Sequence, residues 1–151
     1  MTAPYCDYCK RPSSLVSGDV IYPHRPDLYS KKFWHCAGCD AYVGCHAAGN
    51  GYGDGTRPLG RLANAELRKA KREAHAHFDP LWQSGKIGRR DAYAILAGVL
   101  GISASDCHIG MFDVQQCRAV IEAKPAICYK ILCHTQKHRP SAKRTNGPAS
   151  A

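Results

Sequence analysis

The stretch Lys31–His46, KKFWHCAGCDAYVGCH, carries three cysteines and two histidines in sixteen residues. Cys36-Ala37-Gly38-Cys39 within it is a Cys-x-x-Cys pair. A first pair, Cys6-Asp7-Tyr8-Cys9, lies upstream, with 26 residues between Cys9 and Cys36. Two such pairs are the pattern of a four-thiolate zinc site. Each pair sits on a tight knuckle that aims two sulfurs at one point. Four thiolates complete a tetrahedron and leave no coordination position for water or substrate, so the site is structural rather than catalytic. Cys6, Cys9, Cys36 and Cys39 are therefore the expected ligands of one Zn ion. A head of 46 residues with few large aliphatic side chains needs such a staple, because a module of that size buries too little apolar surface to fold unaided.

Cys45 and His46 are surplus to that set. Either is near enough in sequence to replace one knuckle cysteine in a mixed site. A second ion would need further ligands, and the chain offers Cys107, His108, Cys117, Cys128, Cys133 and His134, none in a Cys-x-x-Cys pair. Cys117 and Cys128 read as small buried hydrophobes on helix faces. Cys45, His46, Cys107 and His108 stand as the candidate additional metal residues.

Around the cysteines, residues 1–46 read as a β-rich module with strands at Val20–His24, Lys31–Cys36 and Ala41–Cys45. Proline and Asp/Ser turns separate them. Tyr5, Tyr8, Tyr22, Tyr29, Phe33, Trp34 and Tyr42 crowd this head. Most are expected in its core, although exposed rings could stack on unpaired bases. His24, Arg25, Lys31 and Lys32 are candidate phosphate contacts at its rim. Residues 47–60 hold five glycines and a proline and read as a mobile connector, matching neither a P-loop nor a dinucleotide fingerprint.

Residues 61–136 read as a helical module. Arg61–Phe78 is the clearest helix, with Leu59, Ala63, Leu67, Ala70, Ala74, Phe78 and Leu81 in one apolar stripe. The residue before Pro80 should end it. Asp91–Leu100 follows, stopped by Gly101. Asp113 caps a third helix running to Ala123, with Gln116 completing a capping box. Ala126–His134 is a fourth. The tail, 137–151, is basic, lacks apolar residues beyond alanine and proline, and is expected to be disordered.

The net charge of +9 is unevenly spread. Residues 1–56 are neutral, 57–90 carry +6, 91–129 carry −2 and 130–151 carry +5. The positive middle and tail point to a polyanion. Arg61, Arg68, Arg72, Lys86, Arg89 and Arg90 are the candidate nucleic-acid contacts. No apolar run has the length of a membrane span, and the N-terminus has no apolar segment of signal-peptide type. A cytosolic protein with reduced thiols is expected, and an odd number of cysteines argues against a fully paired disulfide framework.

An active site is not expected. His75 and Asp79 are four apart and could form a base with its orienting carboxylate, but no nucleophile or open metal site lies nearby. A polar helix end explains the pair as simply. Cys107 and His108 are adjacent in sequence, which seldom turns two side chains toward each other. DCHIG (Asp106–Gly110) lacks the downstream Asn and His pattern of zinc-knuckle nucleases. A nuclease centred on His75, Asp79 or His108 is the least favoured function.

CDYC (Cys6–Cys9), Ile21–His46, Pro58–Trp82 and Cys107–Glu122 appear in an order that resembles a zinc-finger-containing domain family of unknown function, found largely in phages and prophages. The resemblance spans roughly residues 5–123. It implies a zinc protein of phage type in the bacterial host cytoplasm and no established activity, and it passes through Cys45, His46, Cys107 and His108 without giving them a role. The expected fold is α+β, an N-terminal four-cysteine zinc ribbon followed by a small helical module. The expected function is nucleic-acid binding through a basic helix and tail. The alternative is an adaptor or inhibitor of a host protein complex, such as an RNA polymerase or a defence system.

Overall fold

A computed structural model of the chain describes residues 2–137. The expected basic tail, from 138 onward, lies outside the described residues. Within them an antiparallel three-stranded sheet is followed by helices. The strands are β1 (Ser14–Ser17), β2 (Lys32–Cys36) and β3 (Ala41–Gly44), in the order β1-β2-β3. Leu15 pairs with Trp34, and Trp34 with Val43.

The first strand is not the expected Val20–His24. Val20 and Ile21 instead close a single helical turn, α1 (Gly18–Ile21), and a 3₁₀ turn follows at Pro26–Leu28. Pro23 and Pro26 have no N–H to donate and fixed φ, so this stretch cannot sustain a ladder. The true edge strand, SLVS, is too short and polar to stand out in sequence. Tyr22, Phe33 and Tyr42 meet edge to face with centroids 5.7–6.1 Å apart, and the Tyr22 and Tyr42 hydroxyls hydrogen-bond at 2.9 Å.

The glycine-rich stretch 47–60 is tied at both ends to the head. His46 N–H donates to Arg57 O (2.8 Å), and Leu59 N–H to Gly44 O (2.9 Å). Ala63 and Tyr42 exchange a reciprocal pair of main-chain hydrogen bonds at 3.0 and 3.1 Å. Residues 58–63 thus run back along β3, and Leu62 enters the head's core with Cys6, Trp34 and Ala41.

This pairing delays the long helix. α2 spans Ala65–Gln83 rather than Arg61–Phe78, and Asn64 caps it by accepting from Leu67 N–H at 3.0 Å. Its other end passes through Pro80, which supplies no N–H to the Ala76 carbonyl. Side chains bridge that turn: Asp79 binds His75 Nδ1 at 3.0 Å and accepts from Trp82 Nε1 at 3.3 Å. Buried Leu67, Ala70, Ala74 and Phe78 form the expected stripe, but Leu59 lies outside the helix and is exposed.

α3 (Arg89–Leu100) ends at Gly101, whose φ of 71° lets Ile102 N–H reach back to Ala97 O at 3.0 Å. α4 (Val114–Glu122) carries the expected Asp113/Gln116 capping box. α5 (Lys124–Lys137) begins with Pro125 in its first turn, where a missing N–H costs nothing, and runs longer than Ala126–His134. One core joins these helices through Phe78, Leu96, Ile109, Phe112, Val120 and Ile127. Cys117 is buried in it, whereas Cys128, expected to be buried, is exposed. No helix among the described residues is long and apolar enough to cross a membrane.

Candidate metal centre and basic cleft

The two Cys-x-x-Cys pairs form matching knuckles. In each, the residue after the second cysteine takes a left-handed backbone: Lys10 at φ 61° and Asp40 at φ 49°. Lys10 N–H donates to Cys6 O at 2.8 Å, closing the first turn. The pairing of β1 with β2, and of β2 with β3, brings the second knuckle to the first. The four ligand atoms of Cys6, Cys9, Cys36 and Cys39 all lie within 4.8 Å of one another. The Cys9 and Cys36 sulfurs are 3.7 Å apart. A tetrahedron of sulfurs about 2.3 Å from a zinc ion has an edge of about 3.8 Å, which the Cys9–Cys36 separation matches.

The shifts at Cys9 and Cys39 show how tightly the thiols are crowded. Cys9 is lowered to about 7, chiefly by the Arg11 main-chain N–H and then by neighbouring thiols. Cys39 is pushed up to about 12 by removal from solvent and by Cys9, Cys36 and Cys6. Crowded thiolates repel one another, and a divalent cation among them removes that obstacle. The four cysteines are the convergent group of this kind among the described residues.

Cys45, His46, Cys107 and His108 are placed differently. Cys45 packs against the head's core, and burial raises its pKa. Cys107 belongs to the helical core and is pushed up to about 11 by burial. His46 lies flat on Tyr52, centroids 4.1 Å apart and planes 8° from parallel. His108 is exposed at the edge of a cleft. These four do not gather into a second convergent group among the described residues.

The knuckles also hold the helices. Asp7, inside the first pair, receives Arg61 Nε at 3.1 Å. Tyr8 beside it accepts from the main-chain N–H of Asn64, the α2 cap, at 3.2 Å. Arg68 Nη1 donates to Asp40 O at 3.0 Å and to Ala63 O at 2.7 Å. Gly60 meets Gly110 so closely that a side chain there would overlap the Gly110 carbonyl, and Arg61 N–H donates to that oxygen at 3.1 Å.

A cleft of about 1280 Å³ opens between the head and α2 and α3. Arg57, Lys71, Arg72 and Arg89 line it, together with His46, His75 and His108. Its two carboxylates are both engaged, Asp7 by Arg61 and Asp79 by His75 and Trp82. Lys71 donates to Arg61 O at 3.1 Å, and burial, with Arg61 adding, lowers its pKa to about 8.

Of the expected nucleic-acid contacts, Arg72 and Arg89 face this cleft. Arg61 borders it while bound to Asp7, and Arg68 is held inside the head–helix junction, its side chain 19% exposed. Lys86 and Arg90 are exposed outside the lining. At the rim, Arg25 is engaged in a two-bond pair with Asp27. Sequence reasoning missed Arg57, Lys71 and Tyr52. A tyrosine set among glycines (GNGYGDG, Gly49–Gly55) was the available signal for the last.

Residues 2–126 match a family described as a zinc-finger-containing domain. Neither curated proteins nor solved structures provide a match.

Proposed function

The chain belongs to the zinc-finger-containing domain family, and from that premise we propose that it is a zinc-stabilised nucleic-acid-binding protein. Cys6, Cys9, Cys36 and Cys39 hold one structural zinc ion. The ion fixes the knuckles, and the knuckles fix α2 through Asp7, Tyr8 and Asp40. The cleft between head and helices then takes phosphates. The observation that carries this reading is the cleft's charge: Arg57, Lys71, Arg72 and Arg89 line it, while both of its carboxylates are already paired. The basic residues of 137–151 add attraction that is independent of sequence. A titration of labelled nucleic acid at several salt concentrations tests it. Affinity should fall steeply with salt, with the logarithmic slope reduced by about one for each phosphate-contacting arginine replaced by alanine. No binding at low salt, or an Arg72→Ala/Arg89→Ala protein that binds unchanged, refutes the reading.

A protein partner, in the manner of an adaptor or inhibitor of a host complex, is the second reading. Tyr129 and Leu132 favour it: they are three apart on α5 and 65% and 54% exposed. Co-purification that survives nuclease and is lost in Tyr129→Ser/Leu132→Ser would support it, and recovery of nucleic acid alone would remove it.

A further inference from the structure

Resting on the nucleic-acid reading above, we infer that the cleft is a site for single-stranded rather than duplex nucleic acid, with bases against the head and phosphates against α2 and α3.

The two walls differ in chemistry. The head wall carries Tyr5 and Tyr52, 64% and 44% exposed. Tyr52 is not a loose ring. The stack on His46 holds its plane, and Arg57 stands 5.8 Å from its centroid, at the outer limit of a cation–π contact. The facing wall carries Lys71, Arg72 and Arg89, and the Arg89 guanidinium rests 4.6 Å from the Tyr93 centroid. The head wall therefore offers exposed ring faces with Arg57 beside them, and the helix wall offers mainly cations.

That division suits an unpaired strand. An exposed ring gains most from a base that presents its flat face, and stacked, paired bases in a duplex present only their edges to a protein. Cations opposite the rings lie where the backbone of such a strand would run. Stacking rings beside a positively charged groove are the usual means of holding single strands without regard to sequence. The volume of about 1280 Å³ exceeds the roughly 300–1,000 Å³ of sites for small molecules, which favours a polymer segment over a free nucleotide. Of the only carboxylates lining the cleft among the described residues, Asp7 is paired with Arg61 and Asp79 is hydrogen-bonded to His75 and Trp82, against four cationic side chains, Arg57, Lys71, Arg72 and Arg89.

The test is fluorescence anisotropy of the full zinc-loaded chain, with a labelled dT oligonucleotide of about fifteen residues and a mixed-sequence duplex of about the same length. Two paired variants accompany it, Tyr5→Ala/Tyr52→Ala and Arg72→Ala/Arg89→Ala, with Tyr5→Trp as a replacement that keeps a ring. The single strand should bind at least about tenfold more tightly than the duplex. The tyrosine variant should weaken single-strand binding about tenfold or more and leave duplex binding unchanged, and Tyr5→Trp should retain it. The arginine variant should weaken both. Equal or tighter duplex binding, or a tyrosine variant that binds the single strand as the parent does, overturns the inference while nucleic-acid binding stands. Failure of both probes to bind overturns the two together, as does recovery of a nuclease-resistant protein partner by a chain that binds neither probe.

Discussion

The guanidinium of Arg68 lies 4.0 Å from the ring centroid of Tyr42, so that a residue of α2 is seated on β3 of the head. The same group bonds the carbonyls of Asp40 and Ala63. Arg68 joins the two halves of the protein, whereas Arg72, one turn on, is exposed at the cleft. Arg68→Ala should lower the unfolding free energy by about 2–3 kcal/mol, from lost charge-assisted hydrogen bonds and ring contact. Arg68→Lys should recover little of it, because an ammonium cannot bond both carbonyls and cover the ring. Arg72→Ala should leave the thermal midpoint unchanged while weakening nucleic-acid binding. Thermal denaturation of the three variants checks this, and equal midpoints for all would contradict it.

Native mass spectrometry should find one zinc ion per chain. Serine at Cys6, Cys9, Cys36 or Cys39 should abolish or sharply weaken retention of the ion, while Cys45→Ser should retain it. Chelation should unfold the head, because the apparent binding free energy of a structural zinc site, about 10–16 kcal/mol, exceeds what so small a core supplies.

Gly60→Ala should destabilise the protein by about 1–3 kcal/mol, since the added methyl overlaps the Gly110 carbonyl and main chain must shift. Gly98→Ala is the matching control. That glycine lies on an open helix face, and alanine there should stabilise by about 1 kcal/mol. Chemical denaturation of the pair measures the contrast.

Pro80→Ala should raise stability by about 1–3 kcal/mol, because it returns an N–H to the Ala76 carbonyl within α2. A lowered denaturation midpoint would show that the ring's packing outweighs the missing hydrogen bond.

Lys71 titrates at about 8 in the folded protein, below its ordinary 10.5. Between those values the unfolded chain binds more protons at this residue than the folded one. Its contribution to stability therefore rises with pH across that window and is flat outside it. Comparison of the parent with Lys71→Met isolates the effect from the thiols and tyrosines that titrate nearby. The parent should gain on the variant from about pH 8 to about pH 10.5, and parallel curves would refute the assignment.

Features governed by neighbouring residues were legible in sequence. The Asp113/Gln116 box and the stop at Gly101 follow from local capping chemistry, and the four cysteines follow from their spacing. Ser14–Ser17 was not legible, because its pairing with β2 rather than its own residues makes it a strand. Arg61–Asn64 has helical composition, yet the hydrogen bonds Ala63 gains from Tyr42 take it into the head. Pro80 signalled an end that Asp79 and its two partners bridge. The cleft was hidden for a different reason: Tyr5, Tyr52, Arg72 and Arg89 are far apart in the chain, and no local rule brings them together.

The attachment of α2 to the knuckles by Asp7, Tyr8 and Asp40 bears on the order of assembly. The helices share a core of their own, chiefly α2 against α4 and α3 against α5, but the head must close the loop between Cys9 and Cys36, with 26 residues between them, around a much smaller core. If the four cysteines hold zinc as proposed, that closure waits for the ion. On the proposed nucleic-acid reading, a chain synthesised when zinc is scarce would carry the cations of its helices without the aromatic wall opposite, and would gather phosphates loosely without gripping bases. An ion enclosed by sulfur on all sides, and touching no ligand, would thereby decide when the protein becomes selective.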